Sequence, residues 1–383
     1  MSAASTFLPL WNRAAEWRRR LEMIRAARSF VYLSTFYIEW DAYAVELLDA
    51  LDDARRRRVD ATLLIDGAGQ RLGGVLMSVA ARRALRARLD ALRAAGGTVT
   101  FYQPARAIQR YLGGGQHVKI QVSDAGEAIF GSSNITRTSF EGWNEYSVAV
   151  RGPIARTLLE SYREIGGAVA DRHLDELDAA GRHEDADHPL DYWLCNPNTR
   201  QGRLGPLGWR GDNPVTSRMI EMMDAARRSV RLTSFYFKPV EPLMDALIRA
   251  ARRGVEVEVF HSHRDALPAT DLAWIAAAVN YDRLLAAGVT IYENRHGEHS
   301  KIVVVDDAWA AFGSYNFEDA AHDRLAEAML ASRDPRAVEP AVAILDGLRG
   351  DPDNERVTQE SVDGLPVSMK RKIAWFGRFK RWM

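Results

Sequence analysis

At 383 residues the chain is long enough for two domains of ordinary size, each burying its own core. Its 51 lysines and arginines balance 51 aspartates and glutamates, which argues against a protein that holds nucleic acid by a general positive charge. The single cysteine, Cys195, allows no intramolecular disulfide and fits a reducing compartment. With no secretory pattern and no run of 18 apolar residues, a soluble or peripheral cytosolic protein is expected.

Periodicity predicts an amphipathic helix at 14–28 and a β-branched, aromatic strand at 30–37. A helix at 44–56, a strand at 61–65, a helix at 76–95 ending at Gly96 and a strand at 98–102 follow. The order then recurs, with helices at 216–228 and 243–253, strands at 230–237 and 255–260, and a helix ending at Gly288 before a strand at 289–292. Gly254 after two arginines is a helix stop signal. Such alternation predicts an α/β protein of two fused halves, each a mixed sheet sandwiched by helices. Residues 171–213, rich in Gly, Pro, Asp and His, read as a connector between halves at 1–170 and 214–335, with a helical segment at 336–383.

The halves are copies. Residues 22–37 match 221–236 at an offset of 199, and residues 117–145 match 299–327 without a gap at an offset of 182, with 11 of 29 positions identical. A period this long means two fused domains, not a stacked solenoid. The 17 residues by which the offsets differ are expected around 70–86 of the first half.

The shared window carries chemistry. His117-Val-Lys119 with Asp124, Gly131-Ser132-Ser133-Asn134 and Glu145 is repeated as His299-Ser-Lys301 with Asp306, Gly313-Ser314-Tyr315-Asn316 and Glu327. Two residues apart on a strand, His and Lys share a face, and a hairpin return brings Asn back beside His. The aspartates, seven residues from each His and near the turn, have the wrong parity and the wrong end. They are expected to be structural or supporting acids although they belong to the repeated set. Two copies of one half-site imply one active site across a pseudo-twofold.

This doubled pattern resembles the signature of the phospholipase D superfamily, over roughly residues 20–165 and 215–335. Within it the chain is most similar to bacterial cardiolipin synthases. The similarity runs through Phe36-Tyr-Ile-Glu-Trp-Asp41, Leu63-Leu-Ile-Asp66-Gly67, Trp143-Asn-Glu145, Arg151-Gly-Pro153 and Phe235-Tyr-Phe-Lys-Pro239. It departs at Ala320–Glu327, where the family carries Arg-Ser and Asn-x-Glu. The resemblance implies phosphatidyl transfer through a phosphohistidine, from a phosphatidylglycerol-like phospholipid to an alcohol acceptor. Hydrolytic phospholipase D and phosphodiesterase nuclease are the alternatives, the nuclease disfavoured by the neutral charge. The expected catalytic set is His117, Lys119, Asp124, Asn134, Glu145, His299, Lys301, Asp306, Asn316 and Glu327, with Ser132 and Ser314 binding substrate. His117 is the expected nucleophile and His299 the acid/base, each imidazole giving its Nδ1 proton to a glutamate. The lysines and asparagines would hold the non-bridging oxygens. No metal or cofactor is expected, because two lysines supply the positive charge.

Other features carry less. His261-x-His263 is read as pocket lining or loop before a metal site; His173, His183 and His188 as solvated; Gly113–Gly115 as a turn or hinge; and Arg55–Arg58 as a solvated helix end. The tail 369–383 holds six basic residues, four aromatics and no acid. It is read as an interfacial anchor for an anionic membrane, which places the protein on the inner face of the cell membrane; packing on the body is the alternative.

Overall fold

A computed structural model describes residues 7–181, 190–199, 204–205, 208–209, 213–267 and 271–377. The first half is a seven-stranded sheet in the order Leu8–Leu10, Ser147–Arg151, Glu127–Gly131, Lys119–Ser123, Phe30–Thr35, Asp60–Asp66, Thr98–Tyr102. Phe30–Thr35 is its hinge of direction, parallel to Asp60–Asp66 and antiparallel to Lys119–Ser123. The β-branched and aromatic residues expected of it are buried on both faces. The second sheet repeats this centre, with Ser229–Ser234 parallel to Glu256–Ser262 and antiparallel to Ile302–Val305.

The two sheets face each other through one joint core. Phe30, Ile120, Phe130 and Val148 of the first half pack with Phe260, Ile302, Phe312 and Leu330 of the second, and Tyr146 meets Phe312 edge-on at 5.4 Å. Burying each such side chain is worth about 1.5–3 kcal/mol, so this layer fixes how the halves sit together. Two further cores lie outside it, one per half, under the helices of the outer faces.

Three boundaries differ from expectation. Residues 171–213 are no plain connector, because they contain the helix Asp171–Gly181 and the strand Asp191–Cys195. That strand pairs antiparallel with Leu325–Ser332, the place Leu8–Leu10 takes against Ser147–Arg151. Its Trp193 and Cys195 are buried in the second core, which short-range patterning could not reveal. Helix Pro335–Gly350 packs on the second sheet as Pro153–Glu164 packs on the first, each with proline in its first turn, so the second copy runs past residue 335.

The third concerns the extra residues. The separation of corresponding positions is 199 from Phe30 to Ser229, 196 from Asp60 to Glu256, 192 from Thr98 to Thr290 and 182 from His117 to His299. The largest step, from 192 to 182, falls between Tyr102 and His117, where the helix Ala107–Tyr111 is inserted, and not around 70–86.

Candidate active site

Each catalytic segment leaves its own sheet and pairs with the other half. Gly115–Gln116 runs parallel to Leu325–Ala326, and the His117 amide donates to the Ala326 carbonyl at 2.8 Å. Symmetrically, Asn144 bridges Glu298, and the His299 amide donates to the Asn144 carbonyl at 2.8 Å. The pseudo-twofold therefore runs between the two His segments. Each lysine lies at or just before the start of the strand after its histidine and bonds back to it: Lys119 Nζ donates to the His117 carbonyl at 2.7 Å, and Lys301 Nζ to the His299 carbonyl.

The carboxylate serving each imidazole comes from the opposite half. His299 Nδ1 donates to Glu145 Oε2 at 2.8 Å. His117 Nδ1 lies 2.9 Å from Glu327 Oε1 and 3.1 Å from the Ser314 carbonyl, to which its hydrogen bond is directed. One half alone therefore has a histidine without its glutamate. Ser132 Oγ donates to Glu145, and Ser314 Oγ to Glu327. Both hydroxyls are buried behind the imidazoles, so the expectation that Ser132 and Ser314 bind substrate is corrected: they orient the glutamates. A Cβ on Gly131 would sit 2.3 Å from Ser147 Oγ, and one on Gly313 2.3 Å from the Ala328 carbonyl, which explains glycine before each serine. The variable third residue ties the loop to its own half, Ser133 Oγ to Glu16 at 3.0 Å and Tyr315 Oη to Thr216 at 2.8 Å.

His117, His299, Asn134 and Asn316 open together on one cavity of about 490 Å³. Asn134 Oδ1 accepts from the Phe36 amide and the Thr35 hydroxyl, which leaves its Nδ2 as the end a ligand can meet. Asn316 Oδ1 is buried with no hydrogen-bond partner. The lysines and glutamates stand behind this wall, fully buried. Asp124 and Asp306 lie outside the site, which corrects their place in the repeated catalytic set. Asp124 accepts from the Arg28 and Ser29 amides, and Asp306 from the Arg227, Arg228 and Ser229 amides. Each clamps the turn from the first helix of its half into the central strand.

Burial and two lysines oppose charge on the imidazoles. His117 is held well below the usual histidine range by burial and by Lys119. Burial takes His299 to about 3 despite Glu145. Burial lowers both lysines, Lys301 to about 8. The glutamates diverge. Burial pushes Glu145 up, but His299 and Lys301 outweigh it and hold it at about 2. Burial of Glu327 prevails over Lys119 and raises it. In the free site burial thus favours the neutral form of both imidazoles and makes both lysines easier to deprotonate.

Several site residues were missed in the sequence. Trp143 stacks on His299 at 4.8 Å and Phe235 meets the same ring edge-on at 4.8 Å. Phe36, the counterpart of Phe235, meets His117 edge-on at 4.8 Å, but the counterpart of Trp143 is Leu325. The repeated Phe-Tyr pairs were a usable signal for the first contact; nothing local signalled the second. Asn198 donates to both the Gly115 and Arg324 carbonyls and so ties the halves together behind the site.

The family model described as "Cardiolipin synthase, PLD-like domain" matches residues 21–165 and 219–348. The chain belongs to that family. It is a phospholipase D-type enzyme, and residues of both copies line the cavity. It is 27% identical over 310 residues to cardiolipin synthase B of Salmonella typhimurium, covering 78% of this chain and 69% of that one. To a cardiolipin synthase of Geobacillus kaustophilus it is 24% identical over 330 residues, covering 83% of this chain and 61% of the relative. The fold matches phosphatidylserine synthase of Haemophilus influenzae with a TM-score of 0.71 at 15% identity, covering 100% and 95% of the two chains. It also matches polyphosphate kinase of Porphyromonas gingivalis at a TM-score of 0.58 and 12% identity, over 99% of this chain and 53% of that one.

Outside the cavity, His173 is buried, not solvated, with Nδ1 2.7 Å from the Tyr32 hydroxyl and its ring on Phe30. His183 and His188 lie outside the described residues. His261 is bonded to the Tyr281 hydroxyl at 2.8 Å, and His263 caps the turn at Asp265. Gly113–Gly115 follows the Ala107–Tyr111 helix as a turn, Gly114 N donating to the Gln109 carbonyl at 2.7 Å. The tail forms the helix Val367–Phe376, and Met369, Ile373 and Phe376 pack on the second core. Of the apolar side assigned to lipid, Ile373 and Phe376 pack on protein and Trp375 is exposed; residues 378–383, which hold the rest of it, lie outside the described set. Among the described residues no helix is long and apolar enough to cross a membrane.

Proposed function

We propose that this enzyme is a transphosphatidylase that moves a phosphatidyl group from a phosphatidylglycerol-like phospholipid to an alcohol through a phosphohistidine. The observation that carries the reading is the single cavity on which both histidines and both asparagines open, walled by Leu72, Val75, Leu76, Leu112, Leu267 and Leu325. Such walls suit acyl chains beside a phosphodiester better than the charged backbone of a polynucleotide. The names of the cardiolipin synthase relatives point the same way.

In this mechanism His117 Nε2 attacks phosphorus and the bond to the leaving alkoxide breaks, with the proton for that oxygen supplied by His299. The acceptor alcohol then gives its proton back to His299 and attacks phosphorus, and the phosphorus–nitrogen bond breaks to restore His117. The entering phosphodiester brings the negative charge that allows one buried imidazole to hold a proton beside two lysines. Lys119, Lys301, Asn134 and Asn316 counter the charge that develops on the non-bridging oxygens. His299 takes the acid/base role because ionised Glu145 and stacked Trp143 favour its charged form. The protein acts at the inner face of the cell membrane.

Incubation with phosphatidylglycerol vesicles, with and without added deuterium-labelled glycerol, followed by mass spectrometry of the lipids tests this. A new lipid bearing the acceptor supports transfer; phosphatidic acid alone would make water the acceptor. Trapping with a slow substrate should place phosphate on His117, and label confined to His299 would reverse the two roles.

A further inference from the structure

Helix Gly67–Leu76 is built inside out. Its buried residues are Gly67, Gly69, Gly73 and Gly74, whereas Leu72, Val75 and Leu76 are exposed, Val75 at 74%. The glycines are needed because the helix rides directly on the aromatic pair at the cavity wall. A Cβ on Gly69 would sit 2.5 Å from the Phe36 carbonyl, and one on Gly73 2.5 Å from the Tyr37 ring. A water-facing helix normally places its apolar side chains toward the core, and this one does the reverse.

The inserted helix Ala107–Tyr111 adds to the same pattern. Ile108 is 50% exposed and Tyr111 87%, while Leu112 lines the cavity. Val79, at the start of the next helix, is also exposed. Charge supplies an independent observation. Between Asp66 and Asp124 the chain has eight arginines and one acid, Asp90, in a protein whose net charge is zero. Arg71, Arg83, Arg86 and Arg110 are exposed, and Arg71, Arg82, Arg86 and Arg93 line an open groove beside the inverted helix.

We infer that the mouth of the active site is itself the membrane-docking face, with the side chains of Leu72, Val75, Leu76, Ile108 and Tyr111 entering the surface of an anionic bilayer and the neighbouring arginines meeting its headgroups. The inference rests on the phospholipid reading and makes it specific. The same leucines that would enter the lipid line the cavity, so a phospholipid passes from bilayer to histidines without its acyl chains crossing water. Among the described residues, the corresponding region of the second half turns inward: Trp274, Ile275, Ala277 and Ala278 of its helix Leu272–Ala278 are buried in the core, and the tail helix packs over it.

Co-sedimentation with phosphatidylglycerol/phosphatidylcholine vesicles and with pure phosphatidylcholine vesicles tests the face, using residues that do not line the cavity. The triple substitution Val79→Asp, Ile108→Asp, Tyr111→Asp and, separately, Arg83→Glu with Arg86→Glu should each weaken binding to the anionic vesicles about tenfold or more. Turnover of a short-chain, water-soluble phosphatidylglycerol should stay within about twofold, which also reports that the variants fold. Deletion of residues 378–383 should leave most of the binding. Unchanged vesicle binding in both variants, equal wild-type binding to neutral vesicles, or release only on deletion of 378–383 would overturn the inference and leave the function reading standing. Self-association lost in the variants while vesicle binding persists would assign the face to a second copy of the chain and overturn it too. Failure of the wild type to convert phosphatidylglycerol in either form would instead overturn the function reading.

Discussion

The two half-sites descend from one pattern and are not equivalent. His299 lies between Trp143 and Phe235 and donates to Glu145, a carboxylate held at about 2. His117 has Phe36 on one side and directs its proton to the Ser314 carbonyl, with a glutamate that burial raises. The residue before each histidine differs in step. Glu298 accepts from Asn144 across the interface, whereas Gln116, opposite Ala326, donates to the Thr35 carbonyl of its own half. One imidazole thus sits in a charged, aromatic cradle and the other beside a single ring and a backbone carbonyl, although burial favours the neutral form of both.

The largest effects should ignore this asymmetry. His117→Ala and His299→Ala should each lower turnover roughly 10³-fold or more with the fold retained, because each step needs both rings. A single variant that keeps more than a few per cent of activity, with its circular dichroism unchanged, would break the shared site. The glutamates should then reveal the difference. Glu145→Gln removes an ionised partner and should cost about 10²-fold in kcat, whereas Glu327→Gln resembles the protonated form and should cost about tenfold at most. Equal losses would mean that the half-sites are interchangeable.

A pH profile sharpens the comparison. Lys301 is pushed down to about 8, so it is an ammonium below that pH and neutral above it. The value of kcat/KM should therefore fall as pH rises through about 8, and Lys301→Arg, which stays charged, should remove that limb even at a lower rate. A flat profile to pH 9 in the wild type would show that the lysine charge is not needed for capture. The smallest effect belongs to the two aspartates. Asp306→Ala should cost about 1–2 kcal/mol of stability and Asp124→Ala about 1, following their three and two backbone donors, with turnover within about twofold. Urea denaturation measures this, and loss of turnover in the folded variants would return the aspartates to the site.

Much of the molecule was legible because its information is local and repeated. The alternation around Phe30–Thr35 and Ser229–Ser234 marks buried central strands, and two-residue spacing puts His and Lys on one side wherever a strand forms. The wrong parity of Asp124 and Asp306 already pointed to the structural role their backbone contacts show. The connector was not legible, because Asp191–Cys195 becomes a strand only by pairing with Leu325–Ser332, well over a hundred residues later. Nor was the role of Ser132 and Ser314, since a hydroxyl near a phosphate site looks like a ligand until the glutamate behind it is placed.

The sequence by itself determined the duplication, the sheet class, the family and the identity of the paired histidines, lysines, asparagines and glutamates. Only the tertiary structure decided that each glutamate crosses to the other half's histidine. That depends on how two sheets pack through a joint core, a long-range arrangement that no spacing within a repeat encodes. It also decided which apolar residues face outward. A glycine-rich helix reads as ordinary until its backbone is seen pressed on Phe36 and Tyr37, leaving its leucines no core to enter.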